Sequence, residues 1–479
     1  MSHDEDGLPL LIHVRENNDK LFTAFLASVI ASLASLNFGY ALGYSSPTQK
    51  QMSPDPLDKD QFSWFSSIVA LGAIVGSWIG AYMVDKLGRK MSIMLSAFFY
   101  VPGWCLIAYG NSVGMLYVGR IISGMAVGIS ALSVPMYISE IASSRYRGGL
   151  SCINQLFITF GDVVVYSIGA IHAVKWQWLA IIPVIIATIA ILLMSFMPET
   201  PVWLLANHKK GEALRTLVWL RGSSYDCASE LNDLQLNLET QEKISLRAFF
   251  SPVLYRPLII GCMMMVFQQM VGINAILFFC DKVFTQAGIS WDEYASIAAI
   301  CVLFAFTVVS CLTVDRLGRR ILLLIGSVVM FVCMFLLGVY YDLADISGNS
   351  PGNSLRIFGH KSHTIPVSHI SWLALLSVFL YLALFAIGWG PLPWVLMGEL
   401  FPPRARSQAS SMVTMVNLIF TFIVGKTFAS FTDVFKPQGT FWFYSGFCIL
   451  SFLYTMFFVP ETKGKTLMEI ERIFATSTQ

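Results

Sequence analysis

Long uninterrupted apolar runs dominate the chain and alternate with short polar stretches. A helix that crosses a bilayer needs about 20 consecutive apolar residues, and the runs have this length. Strands of a membrane barrel would instead alternate apolar and polar positions, so the pattern predicts helices. The predicted membrane spans are 22–44, 62–84, 91–110, 113–137, 149–172, 178–197, 256–280, 295–314, 321–341, 371–396, 408–432 and 440–459.

The fold class predicted by these spans is an all-α membrane protein with twelve transmembrane helices in two six-helix halves. A polar stretch between the sixth and seventh spans contains amphipathic pieces, and we expect a cytosolic helical linker there. The predicted divisions are an N-terminal tail at 1–21, a first half at 22–197, the linker at 198–255, a second half at 256–459 with a long loop at 342–370, and a C-terminal tail at 460–479.

Composition agrees with this class. Hydrophobic residues make up 56% of the chain and charged residues only 13%, whereas soluble domains carry about 25% charged residues. The net charge of +2 gives no indication of nucleic-acid binding. The nine cysteines show no metal-type spacing, and the polar, acidic N-terminus does not resemble a cleavable signal peptide. No metal, cofactor or disulfide is expected.

Arginine and lysine in the short loops predict the orientation. Because cytosolic loops are enriched in these residues, both termini and the linker are expected in the cytosol and the loop 342–370 on the opposite side. The loops with this bias contain Lys86, Arg89, Lys90, Arg145, Arg147, Arg316, Arg319, Arg320, Arg404 and Arg406.

Three signatures occur twice, in the same order, in the two halves. The first is Asp-x-Leu-Gly-Arg, the second is an acid seven residues before an arginine, and the third is Pro-Glu-Thr. Two halves of common ancestry explain three matches in register, and duplicated halves around a midplane site are typical of alternating-access carriers. The copies begin at Asp85 and Asp315, Glu140 and Glu399, and Pro198 and Pro460.

These repeats, together with Gln-Gln-x-x-Gly-x-Asn at 268–274 and Gly-Trp-Gly-Pro-x-Pro-Trp at 388–394, resemble the sugar porters of the major facilitator superfamily. The resemblance extends over essentially the whole chain. The long loop before the tenth span, the leucine pair near the N-terminus and Lys426 resemble class III facilitative glucose transporters, in particular the intracellular members of that class.

The resemblance implies a sugar site built from amides and one aromatic ring. Primary amides match sugar hydroxyls because one side chain both donates and accepts, and intramembrane polar groups normally face a cavity. The expected sugar-binding residues are Gln155, Gln268, Gln269, Asn274, Trp394 and Asn417. The partners implied are a hexose such as D-glucose and membrane lipid. We expect the prolines near 391 to break the tenth span.

The paired charges at the predicted cytosolic ends suggest a gate. The duplicated spacing indicates two equivalent ion-pair clusters, and the resemblance implies that they hold the halves together when the cavity opens outward. The gate residues expected are Arg89, Glu140, Arg147, Glu199, Arg319, Glu399, Arg406 and Glu461.

Three transport modes remain open on the residues alone. Proton-coupled relatives carry an Asp after Phe-Gly-Tyr in the first span, and Ala41 stands there instead, which favours uniport. Asp162 lies within the fifth span, on nearly the same face as Gln155 and within reach of Arg120. Proton symport with Asp162 and Arg120 as the proton site is one alternative, and a static buried ion pair between these two residues is the structural interpretation. A sugar sensor with little flux is the third. No motif of an enzyme is present.

The N-terminal tail carries an acid followed by two leucines, Asp6, Leu10 and Leu11. Clathrin adaptors bind such signals, so we expect an endosomal or lysosomal membrane protein, with a plasma-membrane pool possible. His360, His363 and His369 cluster in the long loop, where the interpretation is a solvated loop and not a metal site.

Overall fold

The computed structural model describes residues 21–53, 55–143, 147–171, 173–222, 225–239, 252–286, 292–348, 356–357, 360–361, 371–401 and 403–462. The side chains of some residues inside these ranges, including Arg147 and Arg406, lie outside the description, as do Asp6, Leu10, Leu11, His363 and His369.

Twelve described helices are long and apolar enough to cross a membrane, and every predicted span end lies within seven residues of the observed helix end. The prediction of an all-helical, twelve-span membrane protein is confirmed. Spans 1 to 6, the first half, are α1 (Leu21–Gly43), α3 (Lys59–Lys86), α4 (Arg89–Ala108), α5 (Val113–Ile141), α6 (Arg147–Gly169) and α7 (Trp176–Ser195). A short helix, α2 (Ser45–Met52), follows α1.

The second half contains two spans that are each made of two helices. Span 7 consists of α11 (Pro252–Met270) and α12 (Ile273–Gln286), and span 10 of α15 (Ser371–Ile387) and α16 (Leu392–Leu400). The other spans are α13 (Asp292–Leu317), α14 (Arg319–Gly348), α17 (Pro403–Val434) and α18 (Lys436–Phe458). Two short antiparallel strands, β1 (Arg356–Ile357) and β2 (His360–Lys361), lie in the long loop and were not predicted.

The two interruptions have different local causes. In span 7, Gly272 adopts a φ of 95°, a left-handed conformation that ends α11 and that glycine reaches without strain. In span 10, Pro391 and Pro393 lack backbone N–H groups, so α15 cannot continue into α16. Both interruptions fall beside the amides that the sequence singled out.

The first half is held by close backbone approaches. A side-chain carbon at Gly72 would overlap the backbone of Ile121, and one at Gly124 would overlap the backbone of Val69. These glycines lie on α3 and α5, so the two helices pack backbone against backbone. Small residues permit such contact in membranes, where van der Waals packing drives helix association.

Among its described residues, the predicted linker forms three helices after the first half: α8 (Pro201–Ala206), α9 (Lys210–Arg221) and α10 (Cys227–Glu239). The buried Arg221 guanidinium donates to the Ile141 carbonyl oxygen at 2.8 Å and pairs with Glu230 at 2.9 Å. Thr23 Oγ1 donates to the Leu220 carbonyl oxygen at 2.8 Å. The C-terminal end of α9 is therefore bound to the first half.

Candidate functional site

Four of the six expected sugar residues form one hydrogen-bonded network in the second half. Asn417 Nδ2, on α17, donates to Gln268 Oε1 at 2.6 Å. Gln269 Nε2 donates to the same oxygen at 3.3 Å, and Asn274 Nδ2 donates to Gln269 Oε1. All four side chains are at least nine-tenths buried. The network connects spans 7 and 11.

The interruption of span 7 explains how Gln268 and Asn274 come into one network. On an unbroken helix, six residues separate side chains by about 600°, which points them to different faces. The turn at Gly272 changes the direction of the chain between them. An argument from helical angle alone fails here because the helix ends at Met270.

The same network reaches the interruption of span 10. Gln268 Nε2 donates to the carbonyl oxygens of Trp389 and Gly390, at 2.8 Å each. Trp389 is itself fully buried, and its Nε1 donates to Ser327 Oγ at 2.8 Å. Spans 7, 9 and 10 are thus joined at the point where span 10 breaks.

Gln155 and Trp394 lie apart from this network. Gln155 is half-buried on α6, in the first half, and within the described residues its amide forms no hydrogen bond. Trp394 is half-buried on α16 and packs against the cluster that includes Met265 and Phe401. Their assignment to a sugar site remains a prediction.

Oxygen atoms without a hydrogen bond mark where a ligand can be held. In the described part of the chain, the side-chain oxygens of Asn274 and Asn417 have no donor, although both amide nitrogens are engaged. With the Gln155 amide, they offer acceptors from both halves. Neutral amides of this kind suit hydroxyl donors, because they exchange hydrogen bonds without a buried charge.

Asp162 and Arg120 do not form the expected ion pair. Arg120 instead donates to the Ala41 carbonyl oxygen at 2.8 Å and to Ser45 Oγ at 2.5 Å. Its guanidinium carbon lies 4.4 Å from the centroid of the Phe65 ring. The ion pair does not form because both terminal nitrogens of the guanidinium donate to other groups, the Ala41 carbonyl oxygen and Ser45 Oγ, and aromatic rings surround it.

The Asp162 carboxylate lies against the end of the first span. The side chain is 3% exposed, its Oδ1 has no hydrogen-bond partner in the described residues, and it faces Gly43. A buried carboxylate without a cation is costly in its charged form. Sequence reasoning found this residue but assigned it the wrong neighbour.

The charged residues at one end of the spans form two clusters with matching bonds. In the first half, Arg89 pairs with Glu140 at 2.8 Å, and Thr200 Oγ1 donates to Glu140 at 2.6 Å. In the second half, Arg319 pairs with Glu399 at 3.0 Å, and Thr462 Oγ1 donates to Glu399 at 2.6 Å. We call this end of the molecule the arginine end.

A glycine and a second acid complete each cluster. Gly88 and Gly318 have φ values of 94° and 92°, and a carboxylate occupies the space that a side chain there would need. Glu199 accepts from the backbone N–H groups of Arg89 and Lys90, and Glu461 accepts from those of Arg319 and Arg320.

Burial and the backbone hydrogen bonds have opposite effects on the pKa of one of the two acids, Glu199. Burial raises the pKa of Glu199, and the N–H groups of Thr200 and Lys90 oppose the shift.

The described ion pairs of both clusters lie within a half and not between halves. The side chains of Arg147 and Arg406 lie outside the description, so their part in a gate remains a prediction.

The comparisons with known proteins agree with this arrangement. A family described as "Sugar (and other) transporter" matches residues 23–474. The chain belongs to this family of sugar transporters. It is 38% identical over 459 residues to the solute carrier family 2, facilitated glucose transporter member 8 of Bos taurus, covering 94% of each chain. It is 36% identical to the facilitated trehalose transporter Tret1 of Bombyx mori, covering 98% of this chain and 90% of that one.

The fold is also that of a solved sugar transporter. The proton:xylose symporter XylE, a major facilitator superfamily protein bound to 6-bromo-6-deoxy-D-glucose, superposes with a TM-score of 0.77 at 27% identity. The alignment covers 95% of this chain and 99% of that structure. The expected resemblance to sugar porters is confirmed, and a multi-pass membrane transporter, which is not an enzyme, is the class shown.

Sequence reasoning missed the contacts that join the transporter's halves at the end opposite to the arginine end. Tyr166 Oη, on α6, donates to the Leu277 carbonyl oxygen on α12 at 2.5 Å. Lys426 Nζ, on α17, pairs with Asp60 of α3 at 3.0 Å and lies 4.4 Å from the Trp64 ring centroid. The sequence singles out Lys426 only through the resemblance to class III transporters, because no local pattern identifies a partner as distant along the chain as Asp60.

Proposed function

We propose that this transporter carries a hexose by facilitated, uncoupled transport, with D-glucose as the default substrate. The observation that carries the proposal is the neutral amide network of Gln268, Gln269, Asn274 and Asn417 beside the break in span 10. Neutral donors and acceptors fit an uncharged polyol. Similarity to a facilitated glucose transporter supports the same substrate class.

Transport proceeds by alternating access in this proposal. Sugar binds between the halves to the six expected residues, Gln155, Gln268, Gln269, Asn274, Trp394 and Asn417, while the arginine-end clusters stabilise the state that is closed to the cytosol. Opening toward the cytosol disrupts the contacts that involve Arg147 and Arg406. Individual partly exposed ion pairs contribute about 0–1 kcal/mol, so the two clusters act as networks.

Uptake into proteoliposomes tests the substrate and the mode together. Labelled D-glucose, trehalose and D-xylose are offered to the purified transporter, with and without an inward proton gradient. Equilibration of glucose at a rate independent of the gradient is the expected result. Preference for trehalose would replace the substrate, and saturable binding without flux would leave a sugar sensor.

Proton-coupled symport is a second candidate, and the Asp162 carboxylate favours it. Its Oδ1 has no hydrogen-bond partner among the described residues, and no cation pairs with it there. A buried carboxylate of this kind is suited to take up and release a proton. Accumulation of sugar above equilibrium under an inward proton gradient, lost in Asp162→Asn, would replace uniport by symport.

We also propose an endosomal or lysosomal location, directed by a clathrin adaptor that binds the tail at Asp6, Leu10 and Leu11. The acid-plus-leucine pattern and the resemblance of the sequence to class III facilitative glucose transporters support it. Leu10→Ala combined with Leu11→Ala is expected to move the protein to the cell surface and raise whole-cell uptake. A double variant that remains internal would refute the signal.

A further inference from the structure

Two cysteines from different halves of the transporter lie in contact with each other. Cys152 is on α6, in the first half, and Cys311 is on α13, in the second half. Their side chains form a hydrogen-bonding contact, and both residues are in the thiol form and partly exposed. Neither belongs to the amide network or to the arginine-end clusters, so the proposed transport cycle leaves this contact without a role.

The packing of the two helices supports the pairing independently. α6 and α13 lie against each other and run in opposite directions, since α6 begins and α13 ends at the arginine end. On this helix pair, the ring centroids of Phe160 and Phe304 are 5.8 Å apart. Phe160 follows Cys152 by eight residues and Phe304 precedes Cys311 by seven, or about 12 Å and about 10.5 Å along the helices. Measured from the ring pair, both cysteines therefore lie at matching heights.

The thiol pair lies near the arginine end of the bundle. Cys152 is five residues from the start of α6, and Cys311 is six residues from the end of α13. At about 1.5 Å per residue, these separations are about 7.5 Å and about 9 Å. Loop charges predict that this end faces the cytosol, a compartment that keeps thiols reduced. A bond between the two sulfurs would join the halves on the side that opens toward the cytosol in the proposed cycle.

In the reduced protein this contact is weak, because a thiol is a weak donor and a sulfur is a weak acceptor. The other helix pair between the halves, α3 and α17, also has a sulfur contact: Trp78 Nε1 donates to Met415 Sδ at 3.3 Å. Contacts of this kind break at little cost, so they allow the halves to separate. A covalent bond at the thiol pair does not.

We propose that Cys152 and Cys311 are a site of reversible oxidation, at which a peroxide converts the two thiols into a disulfide between the halves. The disulfide holds the transporter in its cytosol-closed state until a thiol reductant of the cytosol cleaves it. Formation of the disulfide does not depend on the substrate. The arrest of transport rests on the proposed function, because it requires the halves to separate at this end in each cycle.

The oxidation uses one peroxide and two thiols. One sulfur loses its proton and attacks a peroxide oxygen, the O–O bond breaks, and a sulfenic acid and one water form. The second sulfur attacks the sulfenic sulfur, the S–S bond forms, and the S–O bond breaks to release hydroxide, which leaves as water with the second thiol proton. The thiols lose two electrons in all, and the peroxide gains two. The contact favours the first step, because the thiolate is the reactive form and the neighbouring S–H donates to it.

Peptide mapping of the purified transporter in nanodiscs tests the site without any sugar. The protein is treated with hydrogen peroxide, and the remaining thiols are alkylated. Mass spectrometry is expected to find a peptide that contains Cys152 joined to one that contains Cys311. Dithiothreitol is expected to separate the two peptides, and Cys152→Ser or Cys311→Ser is expected to abolish the link.

Cys301 provides the matched control. It lies on α13, ten residues before Cys311, and it is more exposed than either member of the pair. If exposure alone decided oxidation, Cys301 would react first, whereas we expect Cys301→Ser to leave the Cys152–Cys311 link unchanged. Recovery of both cysteines as alkylated thiols, separate oxidation of each, or linkage only between two copies of the chain would overturn the inference.

Sugar uptake tests the consequence of the disulfide. Peroxide is expected to slow uptake into proteoliposomes in proportion to the linked fraction, so that a sample about nine-tenths linked transports about tenfold more slowly. Dithiothreitol is expected to restore the rate, and Cys152→Ser and Cys311→Ser are expected to keep theirs in peroxide. Full uptake by a linked transporter would overturn the arrest. Absence of hexose uptake in the reduced wild type would instead refute the proposed function and leave the linkage result standing.

Discussion

The two halves of this transporter match at the arginine end and differ in the rest of their spans. At the arginine end, each half has a glycine with positive φ, an arginine–glutamate pair and a threonine that donates to the same glutamate. Away from that end, the first half contains a buried guanidinium and closely packed glycines, whereas the second half contains two broken spans and an amide network.

This difference separates what duplication retained from what each half acquired. A cluster that stabilises one end of a bundle is useful in both copies, so both keep it. Close backbone packing makes the first half difficult to deform, since glycine contacts leave little space for rearrangement. Broken helices with side-chain donors give the second half discrete places to bend. We therefore expect changes in the first half to act mainly on stability and those in the second half mainly on transport.

The largest effect is expected at Arg120, the buried cation of the first half. Arg120→Met removes the donors to Ala41 and Ser45 and the cation over Phe65, and we expect a loss of about 3 kcal/mol in the free energy of unfolding. Chemical denaturation in detergent micelles measures it. A loss below about 1 kcal/mol would show that the guanidinium does not hold the first half together.

Removal of one amide in the second half is expected to lower sugar affinity by about tenfold, whereas removal of a matched amide in the first half is expected to leave it unchanged. Asn274→Ala is expected to weaken D-glucose binding by about tenfold, because it removes an acceptor and frees the Gln269 oxygen. Asn37→Ala removes a bond to the Pro183 carbonyl oxygen within the first half and is expected to leave affinity unchanged. Equilibrium binding of labelled glucose decides between them, and equal losses in both variants would contradict the division of roles.

The arginine-end clusters are expected to respond equally in the two halves. Glu140→Gln and Glu399→Gln each weaken an arginine pair, and each is expected to shift the population toward the cytosol-open state and lower flux by about threefold. Spin-label distances across the arginine end, measured at equal expression, report the shift. Normal turnover in both variants would remove the gate role, and an effect in only one would break the symmetry.

The smallest effect is expected at Lys426, which joins the halves at the opposite end. Its partner Asp60 is 81% exposed, so solvent screens the pair. Lys426→Met is expected to change the free energy of unfolding by less than about 1 kcal/mol, in contrast to Arg120→Met. A loss as large as that of Arg120→Met would mean that the contact with Trp64 is stronger than exposure allows.

Hydrophobic runs were sufficient to predict all twelve spans, because continuous apolar segments of this length have few alternatives in a membrane. Gln268, Gln269, Asn274 and Asn417 were identified through family resemblance and do form one network. The sequence did not predict the arrangement of that network, because Gly272 redirects span 7.

Two further errors have the same physical origin. An ion pair between Arg120 and Asp162 does not form, because Arg120 donates to a backbone carbonyl and to Ser45 and lies among aromatic rings. The donor from Ser310 to the span that contains Pro391 was not foreseen. Hydrogen bonds between distant segments leave no periodic signal, so charge and spacing along the chain do not identify partners.

Pro393 and Pro391 lack the N–H groups that would serve the carbonyls of Trp389 and Ile387 in a continuous helix, and Gln268 and Ser310 donate to those carbonyls instead. This replacement of helical donors has a consequence for how the chain can change over generations. A proline in span 10 and a polar side chain in another span form one inherited unit, although they lie far apart in the gene. Loss of the side chain alone leaves a carbonyl unsatisfied, while loss of the proline alone leaves a side chain with nothing to serve. The order in which such substitutions arise therefore decides which are tolerated.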